Sequence, residues 1–438
     1  MKNSHRPLLL IVLVYLGIGS LYAVQVPDWQ APDEPAHYNY VRQLANGRFP
    51  IMQPSDYDEA YKNEVVASQF APQYDVSIIS YEDWQPPLYY LLLTPVYKLF
   101  DGSLTALRLA SLLIGMGVVL YAYAIAKQLY PEQPWIWQLT AVFVAFLPQH
   151  LSIMASMNND SLSELIIAAV LYRLIRWTKL SLSVTHPTTE KWHMLSISIL
   201  LGLGLLTKLT TYLLVPIVGI LFLHRYWPHR QKLIQAGFTL FLPALLLGLL
   251  WWGRNVIVYP GFDPLARVAH DTAVIGQPRT AEWIAQQGLP ATIRQFLQTT
   301  FNSFWGQFGW MGVVMDSRIY QALLLFSGII LAGLLIRRLT SHSPLTTPHF
   351  MLFLLLGLTI SMHVFYNFTF VQHQGRYLFP ALIPIGIGTA VSLTSWLTWL
   401  QKSVRLRLNN LLPLVFGIGL AGLDLFALYR FILPQLIQ

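Results

Sequence analysis

Near the start of the chain, Pro32-Asp33-Glu34-Pro35-Ala36-His37-Tyr38 forms its sharpest cluster of chemically able side chains. It lies just past a long apolar run, so its two adjacent carboxylates sit beside a membrane surface. A carboxylate buried there is hard to ionise, its pKa rises, and it suits work as a general base. The same two acids equally suit plain solvation, or capping of a helix that starts near Pro35, because proline favours the first helical turn and a short acid the position before it. Glu34-x-x-His37 also has the spacing of half a di-iron ligand pair. Its counterpart, Glu190-x-x-His193, falls at the opposite membrane face under the topology that charge dictates. The two cannot share an ion, and neither a metal nor another cofactor is expected.

Three further positions carry charge where apolar runs end. Asp160, in Ser156-Met157-Asn158-Asn159-Asp160, opens a span, with Glu164 one turn deeper. An acid there is favoured by the helix dipole, and an ionisable group at that depth is equally a functional candidate. Lys208 separates the apolar stretches 199–206 and 213–220, where a snorkelling lysine at a helix end is the plain alternative to a site. Arg376 stands in Gln372-His373-Gln374-Gly375-Arg376-Tyr377-Leu378-Phe379-Pro380, and its flanking Gly375 and Tyr377 favour a shaped site over a simple anchor. Its planar fork matches phosphate oxygens. Phe308-Gly309-Trp310-Met311, with Asp316 and Arg318, reads as interfacial packing, and most of the 14 Trp and 22 Tyr as an interfacial belt.

The elements that must position these groups are membrane helices. Of the 438 residues, 55% are hydrophobic and only 11% charged, against about 25% charged in a soluble domain. Eleven apolar stretches near spanning length are expected at 8–26, 105–127, 135–155, 161–178, 193–207, 209–224, 233–252, 318–336, 350–366, 378–399 and 410–430. The first is too long for a signal-peptide core and lacks a small-x-small cleavage site, so it is expected to be retained. With the N-terminus inside, the inner segments hold fifteen basic residues (Lys2, Arg6, Lys127, Arg173, Arg176, Lys179, Lys191, Arg225, Arg230, Lys232, Arg337, Arg338, Lys402, Arg405, Arg407) and two acids, Glu132 and Glu190. The outer segments hold the remaining thirteen basic residues with seventeen acids, and Asp424 lies within the last span. Lys and Arg in short loops mark the cytoplasmic side. The expected location is the plasma membrane, with the chemistry outside it.

The net charge of +8 comes from short clusters at the ends of apolar runs, a pattern of helix anchors that excludes a nucleic-acid stripe. Absence of cysteine removes thiol nucleophiles and thiolate metal sites. Two outer segments exceed turn length: 27–104, which includes the apolar, proline-interrupted stretch 86–100, and 253–317. The expected fold is all-α, one polytopic helix bundle over residues 1–438 with two long extracytoplasmic loops bearing interfacial helices. Outer acids and cations around an apolar bundle suit a substrate with a lipid tail and an anionic head. A carrier or flippase of such a substrate is the alternative to an enzyme, although carriers keep their charges near the midplane.

The order of these segments resembles the C-type glycosyltransferases that use polyprenyl-phosphate sugars, near the protein mannosyltransferase and aminoarabinose transferase group. It is also similar to a bacterial family of membrane proteins carrying the same DEPAH, NND, FGWM and QGRYLFP segments, and the likeness runs over residues 33–384. The resemblance implies transfer of a sugar with inversion from a lipid-linked donor to a glycan, lipid or protein acceptor. Asp33, with Glu34 beside it, would be the catalytic acid pair and Asp33 the general base. Arg376, Tyr377 and Lys208 would hold the donor phosphate, Asp160 and His37 would orient the base or a substrate hydroxyl, and Tyr89 and Tyr90 of the Pro-Pro-Leu-Tyr-Tyr segment would shape the acceptor side. Two departures stand out. Gln85 precedes the proline pair where the family often has histidine or a charged residue, and His37 follows the acid pair by three residues where protein mannosyltransferases have two.

Overall fold

All eleven apolar stretches are helical in the computed structural model, which describes residues 6–180, 187–340, 346–403 and 411–437. Residue 410 and the anchors Lys2, Arg405 and Arg407 lie outside the described residues. The helices are α1 (Arg6–Gln25), α2 (Glu34–Ala45), α3 (Glu59–Ala67), α4 (Leu88–Leu99), α5 (Leu104–Leu129), α6 (Pro134–Ala145), α7 (Pro148–Met154), α8 (Asp160–Thr178), α9 (Pro187–Leu205), α10 (Leu214–Tyr226), α11 (Arg230–Val258), α12 (Arg267–Ala273), α13 (Thr280–Gln287), α14 (Leu289–Trp305), α15 (Ser317–Thr340), α16 (Thr347–Tyr366), α17 (Leu382–Ser403), α18 (Leu412–Ala427) and α19 (Leu433–Leu436).

Eight helical stretches among the described residues are long and apolar enough to cross a bilayer, and α6 with α7 makes a ninth if that pair, bent by 64°, is one span. The chain is a multi-pass membrane protein. The count does not reach the expected eleven, and the difference lies at α8 and α9. Helix α8 carries four charged residues, Asp160, Glu164, Arg173 and Arg176, and α9 begins with polar turns (Thr188, Thr189, Glu190, Lys191). The bend between α6 and α7 falls at Pro148, which cannot donate to a preceding carbonyl.

Helix α5 forms the centre of the bundle, packed against α1, α6 and α8, while α6 also meets α17 and α18, and α9 packs along α11. A seam of Leu107, Ser111, Leu112, Gly115, Val118 and Ala122 turns inward at helical spacing. Gly115 permits the closest approach, since a Cβ there would meet the Tyr15 hydroxyl at 2.6 Å and Met154 Sδ at 2.8 Å.

The two long loops form one cap. The first carries α2, α3 and α4, the second α12, α13 and α14, and they share a small apolar core in which Ala36, Met52, Val65, Ile79 and Tyr81 meet Tyr259, Ala266, Ala273 and Val274. A two-stranded hairpin (Gln307–Phe308 with Val313–Val314) folds the Phe308-Gly309-Trp310-Met311 segment back toward this cap. The stretch 86–100 is the short helix α4, with Pro95 inside it, packed on α2 and α5.

Candidate active site

The acid pair splits at the start of α2. Asp33 takes a left-handed backbone (φ 69°), which a short polar residue tolerates better than most, and although it occupies the N-cap position its side chain makes no capping bond. Its carboxylate instead reaches outward. The Tyr81 hydroxyl donates to Oδ1 at 2.8 Å, and Arg376 Nη2 donates to Oδ2 in an ion pair. Glu34 points the other way and does not join Asp33. Arg108 grips it through Nε to Oε1 at 2.8 Å and Nη2 to Oε2 at 2.6 Å, and it accepts the backbone N–H groups of Trp29 and Met157. A side chain sealed in that way is no partner for substrate, which corrects the reading of Glu34 as catalytic.

Arg376 owes its position to the turn at residues 375–381 ahead of α17. A Cβ on Gly375 would collide with the backbone of Phe304 and Thr300, so only glycine lets this turn lie against α14, where Gly375 N–H donates to Ser303 Oγ at 2.7 Å. The guanidinium is buried against the Tyr377 ring, 5.6 Å from its centroid, and its Nε and Nη1 have no hydrogen-bond partner among the described residues. Lys208 lies at the break between α9 and the short turn 209–213, and its Nζ donates to Asp160 Oδ1 at 2.5 Å. Asp160 is the first residue of α8, so the start of α8 and the break that follows α9 supply one pair.

These groups line a cavity of about 400 Å³. Asp33, His37, Glu82, Lys208, Arg376 and Tyr377 form its polar wall; Met362, Phe365, Tyr366, Phe370, Trp310 and Met311 form an apolar one. Trp310 and Met311 therefore do more than the interfacial packing expected of them: their left-handed backbone (φ 52° and 71°) turns the loop inward, pinned by Trp310 Nε1 donating to the Trp29 carbonyl at 2.9 Å. Asp160 stands behind Lys208, outside the lining.

Tyr89 and Tyr90 are fully buried and do not face the cavity, contrary to expectation. The Tyr89 hydroxyl shares a 2.7 Å hydrogen bond with Ser111 Oγ. Tyr90 stacks on Tyr40 and meets His37 Nδ1 at 2.9 Å. They buttress His37 because α4 turns this face against α2 and α5. Sequence reasoning missed Tyr81, Glu82 and Arg108. Arg108 was legible as a lone cation in an apolar run, and Glu82-Asp83 as a second acid pair just before the Pro-Pro-Leu-Tyr-Tyr segment.

Electrostatics separate the lining groups. Burial alone would raise the Asp33 pKa, but the Arg376 guanidinium outweighs it, aided by the Tyr81 hydrogen bond, and holds it at about 2. Burial pushes His37 down to about 3, against the pull of Asp33 and Asp160, so the imidazole is neutral. Ligand atoms of Asp33, His37 and Glu82 lie within 4.8 Å of one another. That spacing could hold a divalent ion; both Asp33 oxygens accept hydrogen bonds, from Tyr81 and Arg376.

The family model for dolichyl-phosphate-mannose-protein mannosyltransferase matches residues 84–252. Crystal structures of ArnT from Cupriavidus metallidurans superimpose with TM-scores of 0.58 (bound to undecaprenyl phosphate) and 0.55 (apo), each at 16% identity and covering 98% of this chain and 73% of ArnT. The oligosaccharyltransferase of Archaeoglobus fulgidus, in complex with Zn and sulfate, superimposes with a TM-score of 0.55 at 14% identity, over 94% of this chain and 52% of that one. At these identities the likeness is one of fold. No curated protein matches in sequence.

Proposed function

We propose that this chain is a membrane glycosyltransferase that moves a sugar from a polyprenyl-phosphate donor to an acceptor hydroxyl, with inversion at the anomeric carbon. The observation that carries this reading is the meeting of Asp33 and Arg376, 343 residues apart in sequence, at one cavity wall, with the guanidinium Nε and Nη1 still unpartnered. A proton acceptor and an under-used phosphate fork side by side suit glycosyl transfer to a hydroxyl.

In this reading the donor phosphate sits against Arg376, Tyr377 and Lys208, with its prenyl chain along Met362, Phe365 and Phe370. Phe365 is also exposed on the outside of α16, where lipid would meet it. The acceptor oxygen attacks the anomeric carbon, its proton passes to Asp33, and the carbon–oxygen bond to phosphate breaks with its electron pair leaving on the phosphate. Preorganised cations at the developing charge supply the main stabilisation. Asp33 held at about 2 is a weak base while Arg376 grips it. A bound phosphate competes for that guanidinium and so frees the carboxylate when the donor is in place. Asp160 keeps Lys208 aimed at the cavity and His37 braces the Asp33 turn. No metal enters the reaction, and the acceptor is a glycan, lipid or protein hydroxyl.

The fifteen-to-two excess of basic over acidic residues on the inner segments supports a cytoplasmic N-terminus and an extracytoplasmic site in the plasma membrane. Tags at residues 60 and 280 then react only from outside; labelling from the cytoplasm overturns that orientation. For the activity, the purified chain in lipid should release free polyprenyl phosphate from a polyprenyl-phosphate sugar when given envelope acceptors. Binding of the lipid without release across a broad donor and acceptor set would favour a carrier instead.

A further inference from the structure

The cations lining the cavity are all committed. Arg376 holds Asp33, Lys208 holds Asp160, Lys62 holds Glu59 at 2.8 Å, and Arg267 faces Asp271 at 3.8 Å. Glu82 lines the same wall with no ion-pair partner among the described residues, and its Oε2 is buried without a hydrogen bond. It stands next to Asp33, an anion whose own oxygens are both served by Tyr81 and Arg376. A buried carboxyl with no cation, beside a carboxylate that has one, sheds its charge by keeping its proton. Two neighbouring carboxyls driven apart in this way divide acid from base.

We infer that Glu82 works as a neutral carboxylic acid, donating a hydrogen bond to a phosphate oxygen of the lipid-linked donor while the ionised Asp33 beside it receives the acceptor's proton. The inference rests on the donor reading above and deepens it. A protonated Glu82 has one O–H to place, its buried Oε2 meets no hydrogen-bond partner among the described residues, and an anionic ligand in the cavity supplies an acceptor; a hydrogen bond to a charged oxygen is among the stronger kinds. An ionised Glu82 would instead add a second negative charge where the phosphate must enter. No covalent step involves Glu82, so the proton balance of transfer is unchanged.

The surroundings support the neutral form. Burial and the charge on Asp33 push the Glu82 pKa up to about 8, against the pull of Lys208, Gln85 and Arg376. Around it stand Asp33 and His37 at the start of α2, Lys208 after α9, Arg376 and Tyr377 ahead of α17, and Tyr366 at the end of α16. Its own segment adds Tyr81 and Asp83, with Tyr90 behind. Burial carries Asp83 up to about 8 as well, but Asp83 does not line the cavity.

The test is binding of undecaprenyl phosphate to the full chain in detergent between pH 7 and 9. The probe's own second ionisation, near pH 6 for a phosphate monoester, is about nine-tenths complete at pH 7 and finished before pH 8–9, where the change is read. The wild type should lose affinity by up to about tenfold per pH unit above about 8. Glu82→Gln keeps a neutral donor, so it should bind within about threefold of the wild type at pH 7 and stay flat to pH 9. A flat wild-type profile overturns the inference even if the variant fails to fold. So does an unchanged fall in Glu82→Gln, which assigns the loss elsewhere, Asp83 included. Normal binding with transfer abolished in Glu82→Gln also overturns it, because Glu82 would then be the proton acceptor. Absence of any wild-type binding across the range sinks the donor reading itself, and this inference with it.

Discussion

Glu34 with Arg108 and Asp33 with Arg376 are the same chemical pair, one residue apart on the acid side, in opposite surroundings. Around Arg108 all of the guanidinium's donor capacity is used: two bonds go to Glu34 and three to the carbonyls of Ala23, Val26 and Pro27. Around Arg376 one bond goes to Asp33, while Nε and Nη1 remain unserved at a cavity wall. A saturated pair holds the chain in place; an unsaturated one can exchange its partner for a ligand. Here the first staples the end of α1 and the start of α2 to α5, and that staple is what lets the second present Asp33 to the cavity.

The largest effect should come from breaking the staple. Arg108→Ala leaves Glu34 buried without a cation and should lower stability by about 3–5 kcal/mol, read as the melting transition in detergent. Arg376→Ala should shift that transition by less than half as much. Equal shifts would erase the distinction between the two pairs.

Next in size is Asp33→Asn, which removes charge at nearly constant volume. Transfer should fall by about 100-fold or more, equivalent to about 2.7 kcal/mol of barrier, with melting little changed. Glu34→Gln should show the reverse, a stability loss with residual transfer in whatever remains folded. Near-normal transfer by Asp33→Asn with normal expression would remove the carboxylate from catalysis.

Arg376→Gln should weaken binding of the donor by about tenfold through loss of a charge-assisted bond. It should also change the pH profile. In the wild type Asp33 ionises at about 2, so it stays charged and kcat/KM shows no acid limb from this group between pH 5 and 7. Without the guanidinium the burial contribution dominates, the pKa rises, and activity should decline as pH falls through that range. An unchanged profile would mean that Arg376 does not control the base. The smallest effect belongs to Tyr90→Phe, which removes one hydrogen bond to His37 and should cost about 0.5–1.5 kcal/mol of stability. A loss of transfer beyond about tenfold there would restore Tyr90 to direct contact with substrate.

Much of this could be read in the chain. Apolar runs follow from solvation alone, so the helices came out nearly where expected, with α8 and α9 diluted by charged and polar turns. Asp33, Lys208 and Arg376 were legible as charges at the ends of apolar runs. What adjacent residues do was not legible. Asp33 and Glu34 differ by one position, and only the direction of the α2 turn sends one to the cavity and the other to Arg108. Tyr89 and Tyr90 looked like a substrate wall because a tyrosine pair says nothing of which face meets a neighbouring helix.

The sequence by itself determined that this protein is a membrane helix bundle with charged groups collected at the loop-bearing rim, since the transfer free energies of side chains act residue by residue and need no partner. Only the tertiary structure decided which charges meet. Pairing energy depends on distance and on what else surrounds each group, so Asp33 with Arg376, Asp160 with Lys208 and the leftover Glu82 exist as such only once α2, α8, the break after α9 and the turn before α17 are brought to one wall.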